Sequence, residues 1–285
     1  MPFYLMKGDE ILRFQTFASS SSGNAAVITS GDTAILLDAG ISAKRIVEGL
    51  RGLDIRPEDL SGILITHEHT DHIKGVRVLL KRTGACIFAV EPVAAYLEET
   101  IPEARGRIVP FAKGEELGLG AIGVRPFLTP HDSLGSVGYI FDHQGEKLTC
   151  LTDFGCITPE IEEAVRGAQT LFLEANHDVE MVRCGLYPGF LKRRILDPEG
   201  HISNGDSGRL AVLAAESGTR QIILGHLSRE NNTPSTALQT VAGCLVEAGV
   251  SVGADLSLAA APAECPGDVV QNLCKKNLLN RIDKT

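Results

Sequence analysis

Four groups of metal-ligand type fall within six residues: His67, His69, Asp71 and His72, in the run Thr66-His67-Glu68-His69-Thr70-Asp71-His72. The residues just before it, Gly62-Ile63-Leu64-Ile65-Thr66, form an unbroken, largely apolar run of strand length. Such a run reads as a strand buried on both faces, which requires a sheet covered by other layers. A tight loop after the strand lets His67 and His69 point to one side. Asp71 and His72 then turn toward a second point as the next helix begins. Imidazole and carboxylate donors in this mixture suit Zn²⁺, Mn²⁺ or Fe. Three of the chain's eight histidines lie in this one loop, so an incidental polar loop is a poor account of it.

The rest of the chain supplies the layers. Phe14–Ala18, Ala25–Thr29, Ala34–Asp38 and Cys86–Val90 read as strands, and Ala43–Gly52 and Ile73–Lys81 as helices. The middle is strand-rich: Arg107–Phe111, Ile122–Leu128, Val137–Asp142 and Lys147–Thr152, with Asp142-His143-Gln144-Gly145 as a hairpin turn. A second α/β stretch follows. Its helices are expected at Pro159–Arg166, Gly208–Glu216 and Pro234–Glu247, and its strands at Thr170–Ala175, Gln221–Gly225 and Leu256–Ala261. Two halves of similar build without a linker fit an α/β architecture of two face-to-face sheets with helices outside, an αββα sandwich. At 285 residues and 44% hydrophobic, the chain can build one large core or two small ones. A single catalytic domain over residues 13–262 is expected. Residues 263–285 are polar, carry Lys275, Lys276, Arg281 and Lys284, and read as an appendage added after the core closes.

No stretch approaches the roughly 20 apolar residues that cross a bilayer. The first ten residues lack the apolar region of a signal peptide, so a cytoplasmic protein with no membrane partner is expected. The seven cysteines show no CxxC pair, which suits reduced thiols better than a zinc knuckle or a disulfide framework. A net charge of −9 counts against a nucleic-acid partner, because phosphate binding usually leaves a basic footprint. Two divalent ions would add about four positive charges to a cleft, so the local potential can oppose the global sign.

Further ligand-type residues stand at the ends of expected strands. They are Asp38 in Leu36-Leu37-Asp38-Ala39-Gly40, His131 in Thr129-Pro130-His131-Asp132, Asp153 in Thr152-Asp153-Phe154-Gly155, and His226 in Leu224-Gly225-His226-Leu227. A lone His131 or His226 would more often be an ordinary core or surface histidine. Their order gives them weight. With the HxHxDH run they make up, in sequence, the five motifs of the metallo-β-lactamase superfamily, which the chain resembles throughout its length. The resemblance implies the metallo-β-lactamase fold and two divalent transition-metal ions, Zn, Mn or Fe. It implies His67, His69 and His131 on one ion, Asp71, His72 and His226 on the other, Asp153 bridging them, and Asp38 as a carboxylate behind the ligands. Two such ions lower the pKa of a shared water to near neutrality and neutralise charge on a phosphoryl or carbonyl oxygen.

Three further segments bear on which bond is hydrolysed. Ser19-Ser20-Ser21-Ser22-Gly23-Asn24 either offers hydroxyls and backbone N–H groups to anionic oxygens or is a plain hairpin loop. Leu173-Glu174-Ala175-Asn176-His177-Asp178 lies at a strand end, and Gly200-His201-Ile202-Ser203-Asn204 opens a helix. Between them, Tyr187-Pro188-Gly189-Phe190-Leu191-Lys192-Arg193-Arg194-Ile195-Leu196 carries three adjacent bases, a solvated helix face or a contact to phosphate. With His67–Gly75 (HEHTDHIKG) and Gly225–Ala237 (GHLSRENNTPSTA), these segments resemble the YycJ/WalJ family of bacterial metallo-β-lactamase-fold proteins, over roughly residues 13–260. The resemblance extends to RNase Z-like nucleases, in which a Glu and a His in the places of Glu174 and His201 deliver a proton. It implies a dinuclear phosphodiesterase, specifically a DNA exonuclease working from 5′ ends and linked to mismatch repair. Asp71, Glu174 and His201 are then the catalytic groups. The candidate substrate contacts in these segments are Ser21, Ser22, Asn24, Asn176, His177, Lys192, Arg193, Arg194 and Arg229.

Two departures from the family pattern stand out: residues 262–285 have no part in it, and Ile202 takes the place of a Leu. Hydrolysis of a small ester, thioester or lactone is the alternative, and would need a narrow hydrophobic pocket instead of an open groove rimmed by Arg and Lys. A mono-iron oxidoreductase or a metal-binding regulatory partner is a third reading, and a redox enzyme would not need Glu174 and His201. The sequence leaves open the metal, DNA against RNA, exo- against endonuclease, and monomer against homodimer.

Overall fold

In the computed structural model, which describes residues 11–271, the chain starts as an antiparallel meander of β1 (Arg13–Ala18), β2 (Ala25–Ser30) and β3 (Thr33–Leu37). After β3 the pairing changes direction. α1 (Ala43–Gly52) starts at Ser42, whose hydroxyl accepts from the Arg45 N–H, and it buries Ile46, Val47 and Leu50 on one face. That 3–4 spacing lays the helix along the sheet. It returns the chain so that β4 (Gly62–Leu64) pairs parallel to β3. α2 (Thr70–Ile73), α3 (Val76–Leu79) and α4 (Glu91–Thr100) make the next crossovers, and β5 (Ile87–Val90) and β6 (Ile108–Phe111) extend the sheet in parallel. The single helix expected over Ile73–Lys81 is in fact two. Gly75 is pressed onto the loop after β3, where a Cβ would lie 2.2 Å from the Ile41 oxygen, and the helix breaks there.

The second half repeats the plan. β7 (Leu117–Leu119), β8 (Ile122–Leu128), β9 (Val137–His143) and β10 (Glu146–Leu151) run antiparallel. Gln144 and Gly145 close the β9–β10 hairpin, both with positive φ (53° and 84°), as a type I′ turn requires. The strand therefore runs one residue past Asp142 and takes in His143, which was expected in the turn. α5 (Pro159–Val165) leads to β11 (Thr170–Glu174), and α6 (Val179–Cys184), α7 (Gly189–Ile195) and α8 (Asn204–Glu216) lead to β12 (Gln221–Gly225). α9 (Pro234–Glu247) leads to β13 (Ser257–Ala260), and β10 to β13 pair in parallel. β14 (Val270–Gln271) then returns to the first sheet, with Arg13 opposite Gln271. The Gly267 N–H donates to the Thr16 oxygen at 2.9 Å, and Gln15 Nε2 donates to the Gly267 oxygen at 2.7 Å. The start of the segment read as an appendage is thus tied to β1 as far as Gln271. Lys275, Lys276, Arg281 and Lys284 lie outside the described residues.

Among the described residues the result is two seven-stranded sheets, β14-β1-β2-β3-β4-β5-β6 and β13-β12-β11-β10-β9-β8-β7, with helices outside. Phe14, Tyr139, Phe141 and Phe172 fill the space between them, with the Phe14 and Phe172 rings 5.1 Å apart. Burying each such ring contributes roughly 1.5–3 kcal/mol. The Tyr139 hydroxyl donates to the Ile65 oxygen at 2.8 Å, joining the second sheet to the strand end that carries His67. No helix among the described residues is long and apolar enough to cross a membrane.

Candidate metal centre

Asp38, Asp153 and His226 each leave a strand with positive φ: 58°, 60° and 53°. Left-handed backbone outside glycine costs on the order of 1–3 kcal/mol in strained cases and gathers at functional sites, where the surroundings enforce it. Here it turns the chain sharply at three strand ends on one edge of the sandwich. Asp38 is buried behind the cluster. Its Oδ1 accepts from the Thr66 N–H (2.9 Å) and its Oδ2 from His72 Nδ1 (2.7 Å). With Nδ1 engaged outward, His72 presents Nε2 inward. The same device recurs at His131, whose Nδ1 donates to the Gly200 oxygen (3.0 Å), and at His226, whose Nδ1 donates to Glu174 Oε1 (3.0 Å). His67 Nδ1 lies 3.1 Å from Thr66 Oγ1. Outer partners of this kind fix the ring orientation and tautomer of metal-binding histidines.

The inward atoms converge. One nitrogen each from His67, His69 and His131 lies within 4.8 Å of the others, and so do the ligand atoms of Asp71, His72 and His226. Asp153 stands between the groups, with Oδ2 3.3 Å from His72 Nε2 and Oδ1 3.5 Å from His226 Nε2 and 3.8 Å from His131 Nε2. All seven residues expected as ligands are therefore brought together. His67, His69, Asp71 and His72 come from the first sheet, and His131, Asp153 and His226 from the second.

The cluster fits a cation. His67 Nε2, His131 Nε2 and Asp153 Oδ2 are buried without a hydrogen-bond partner among the described residues. Buried polar atoms are ordinarily paired, and inward nitrogens beside a bare carboxylate oxygen are what a metal ion would satisfy. The electrostatics agree. Burial pushes His67 and His131 below the usual imidazole range, keeping a lone pair available. Burial acts the same way on His72 and His226, but it is outweighed by Asp38 and Asp153 at His72 and by Asp153 and Asp71 at His226, and both are raised. Carboxylates that stabilise charged imidazoles in a buried place favour positive charge there in general. At Asp71 burial opposes the charge, yet hydrogen bonds from His226 and His72 prevail and hold it far below the usual carboxylate range. The cluster can bind metal.

Glu174, at the end of β11, is wholly buried and accepts four hydrogen bonds. Its Oε2 takes the Asp153 N–H (2.7 Å) and the Phe154 N–H (3.2 Å), and its Oε1 takes His201 Nδ1 (2.8 Å) and His226 Nδ1 (3.0 Å). Burial alone would raise its pKa, but His201 and His226 outweigh it and hold the carboxyl well below its usual range. The Glu174–His201 pair is formed. Glu174 also does more than the sequence suggests, because it holds His226 and the Asp153 turn. The His201 side chain is 20% exposed and lies at the mouth of the cluster.

A family model described as a β-lactamase superfamily domain matches residues 33–227, a span that holds the whole cluster. The chain belongs to the metallo-β-lactamase superfamily. The exodeoxyribonuclease WalJ of Streptococcus pneumoniae is 36% identical over 251 residues, covering 86% of this chain and 93% of WalJ. The exodeoxyribonuclease YycJ of Bacillus anthracis is 36% identical over 245 residues, covering 85% of this chain and 92% of YycJ. Within the superfamily the chain is thus a member of the WalJ/YycJ family. The metallo-β-lactamase-fold protein YhfI of Bacillus subtilis superposes with a TM-score of 0.69 at 14% identity, over 91% of this chain and 99% of YhfI, and shares the fold.

In this WalJ/YycJ family member the candidate substrate contacts divide. Ser21 and Ser22 are exposed between β1 and β2. Asn24 is buried instead: its Nδ2 donates to the Ser20 oxygen (3.0 Å) and lies 3.2 Å from His72 Nε2, and its Oδ1 accepts from the Ser20 N–H (3.1 Å). Asn176 is buried and donates to the His226 oxygen at 2.9 Å. His177 is buried too, and burial lowers its pKa to about 4. These three depart from the expectation because each is buried beneath a strand-end loop, Asn24 and Asn176 with their amides spent on that loop's own backbone. Among the bases, Arg194 Nε pairs with Asp132 Oδ2 at 2.5 Å, Lys192 Nζ donates to the Arg183 oxygen at 2.7 Å, and Arg229 pairs with Glu264. Arg193 is exposed.

Sequence reasoning missed Asn204 and Asn232. Their buried amides bond each other reciprocally (2.9 and 3.0 Å), and Asn232 also donates to the Ala175 oxygen at 2.8 Å, strapping the end of β11 to the start of α8. Asn204 at the end of Gly200–Asn204 and Asn232 in GHLSRENNTPSTA both stand in segments already singled out, but nothing local pairs them.

Proposed function

We propose that this chain is a metal-dependent nuclease that degrades DNA from its 5′ ends, through a single catalytic domain. The observation that carries the reading is the Glu174–His201 pair, 2.8 Å apart, set against the ligand cluster. The names of WalJ and YycJ, both exodeoxyribonucleases at 36% identity, support DNA as the substrate. His67, His69 and His131 would hold one divalent ion, and Asp71, His72 and His226 a second, with Asp153 shared between them; Zn, Mn and Fe all suit these donors. When bound, such ions acidify water and neutralise charge on a phosphoryl oxygen.

The chain's own residues handle the leaving group. Phosphodiester hydrolysis expels an alkoxide, a poor leaving group unless it is protonated as the bond breaks. His201 commits Nδ1 to Glu174, so the proton it delivers is carried on Nε2. Three other donors, the Asp153 and Phe154 N–H groups and His226 Nδ1, anchor Glu174, which keeps the ring in one orientation and one tautomer. Ser21, Ser22 and Arg193, all exposed, are the candidates to take backbone phosphates. Asp38 and Asn24 hold the ligand loops from behind.

The test is degradation of end-labelled single- and double-stranded DNA and RNA by chelator-treated protein reloaded with Mn²⁺ or Zn²⁺. Metal-dependent release of label from 5′-labelled DNA ahead of 3′-labelled DNA is expected. Turnover of small esters with no degradation of any nucleic acid would overturn the reading in favour of an ester hydrolase.

A further inference from the structure

Ten large apolar side chains are well exposed among the described residues, and three of them, Leu186, Phe190 and Leu196, fall on or beside α7. A fourth, Leu134, lies three residues past His131. Phe190 is 63% exposed and is the one aromatic ring in the set. α7 buries none of its residues, although helices ordinarily turn their apolar side to a core. Exposed apolar residues concentrated in one place mark a binding surface.

The surroundings say what binds there. Phe190, Arg193 and Arg194 stand at i, i+3 and i+4 and share one helix face. Arg194 turns that face toward the metal centre, because its Nε bonds Asp132, the neighbour of His131. The C-terminal end of α7 is fastened to the His201 loop. The His201 N–H donates to the Ile195 oxygen at 3.1 Å, and Gly200 packs so tightly that a Cβ would lie 2.2 Å from the Arg194 oxygen. α7 is therefore a firm shelf attached to both His131 and His201, with a flat ring and a guanidinium side by side. Unpaired bases stack on such rings, and phosphates pair with such cations. A base inside a duplex already has both faces covered, so only a single strand or a frayed end can use the ring.

Resting on the nuclease reading, we propose that Phe190 is the stacking platform for an unpaired base beside the scissile phosphate, with Arg193 on an adjoining phosphate. A single-stranded end is then the form of substrate the site accepts.

The experiment walks one abasic site along the 5′ end of a single-stranded DNA, using the full-length, metal-loaded protein and its Phe190→Ala and Phe190→Trp variants. In the wild type, one abasic position should raise KM by roughly 5- to 150-fold, the usual weight of a stacked base. Phe190→Ala should show that loss on intact DNA and no further loss at that position, and Phe190→Trp should restore the wild-type pattern. If the wild type degrades DNA but Phe190→Ala stays sensitive to the same abasic position, the stacking is overturned and the face belongs to another partner. If the wild type degrades no DNA at all, the nuclease reading fails, and the proposal with it. Because Phe190 is exposed, its replacement spares the core, which circular dichroism verifies.

Discussion

Gly40 stands where the loop after β3 crosses the backbone of Asp71. Its N–H donates to the Asn24 oxygen at 2.7 Å, and the Asn24 N–H donates to the Asp71 oxygen at 2.8 Å. A Cβ on Gly40 would lie 1.5 Å from the Asp71 oxygen, 2.2 Å from its carbonyl carbon and 2.8 Å from the Asn24 nitrogen. All three are backbone atoms, so no rotamer change relieves the clash. Since real Cβ atoms keep at least 3.0 Å from such neighbours, Gly40→Ala forces the Asp71 carbonyl back by about 1.5 Å. Overpacking a close-packed interior costs roughly 1–3 kcal/mol, occasionally more, and a clash of this depth belongs at or beyond the upper end. The same retreat takes Asp71 Oδ2 away from its place 3.4 Å from His226 Nε2. A misplacement of about 1 Å can cost on the order of 10²-fold in rate. Urea unfolding, metal content after reloading, and turnover of bis(p-nitrophenyl) phosphate measure the three effects separately. The variant should lose stability, bind less metal and lose about 10²-fold or more in turnover. A soluble Gly40→Ala protein with wild-type metal content and turnover would refute the close-approach argument.

Gly243→Ala should act the other way: it lies exposed inside α9 with nothing within 4 Å of its would-be Cβ, and should stabilise by about 0.5–1 kcal/mol, seen as a higher urea midpoint at unchanged slope. Asp71→Asn removes a charge from the Asp71, His72 and His226 group and should lower the bound metal, by elemental analysis, while circular dichroism stays native. His201→Ala should slow DNA cleavage by roughly 10²–10⁴-fold but affect bis(p-nitrophenyl) phosphate far less, since that leaving group needs no proton; equal losses would remove His201 from the proton-donor role. Asn232→Ala leaves Asn204 and the Ala175 carbonyl short of partners, and should destabilise by about 1–3 kcal/mol in urea unfolding.

Much of the centre was legible because buried strands write apolar runs, and ligand-type residues follow several of these runs in one recognisable order. Ile63-Leu64-Ile65 before His67 and Ile222-Ile223-Leu224 before His226 are of this kind. α4 was not expected, although Val93, Ala94 and Leu97 carry a helical spacing, because it starts at Glu91 directly after β5 ends at Val90, with no loop to announce it. β7 and β14 are too short to carry a pattern. The break at Gly75 comes from contact with Ile41, thirty-four positions earlier, and no local signal encodes that. Asn24, Asn176 and His177 show the other limit: a sequence records that a residue is polar, not which side of its loop is covered.

The segment between β11 and α8 holds α6 and α7, and of their residues only Val182 is buried. Only its two ends, at Ala175 and Ile202, enter a core, yet it carries His201, and its Arg194 pairs with Asp132 beside His131. That division suits a chassis with an exchangeable tool. Lineages can lengthen, shorten or recharge this stretch without disturbing the strand ends that gather the ligands, and a designer seeking a new polymer specificity would graft here first.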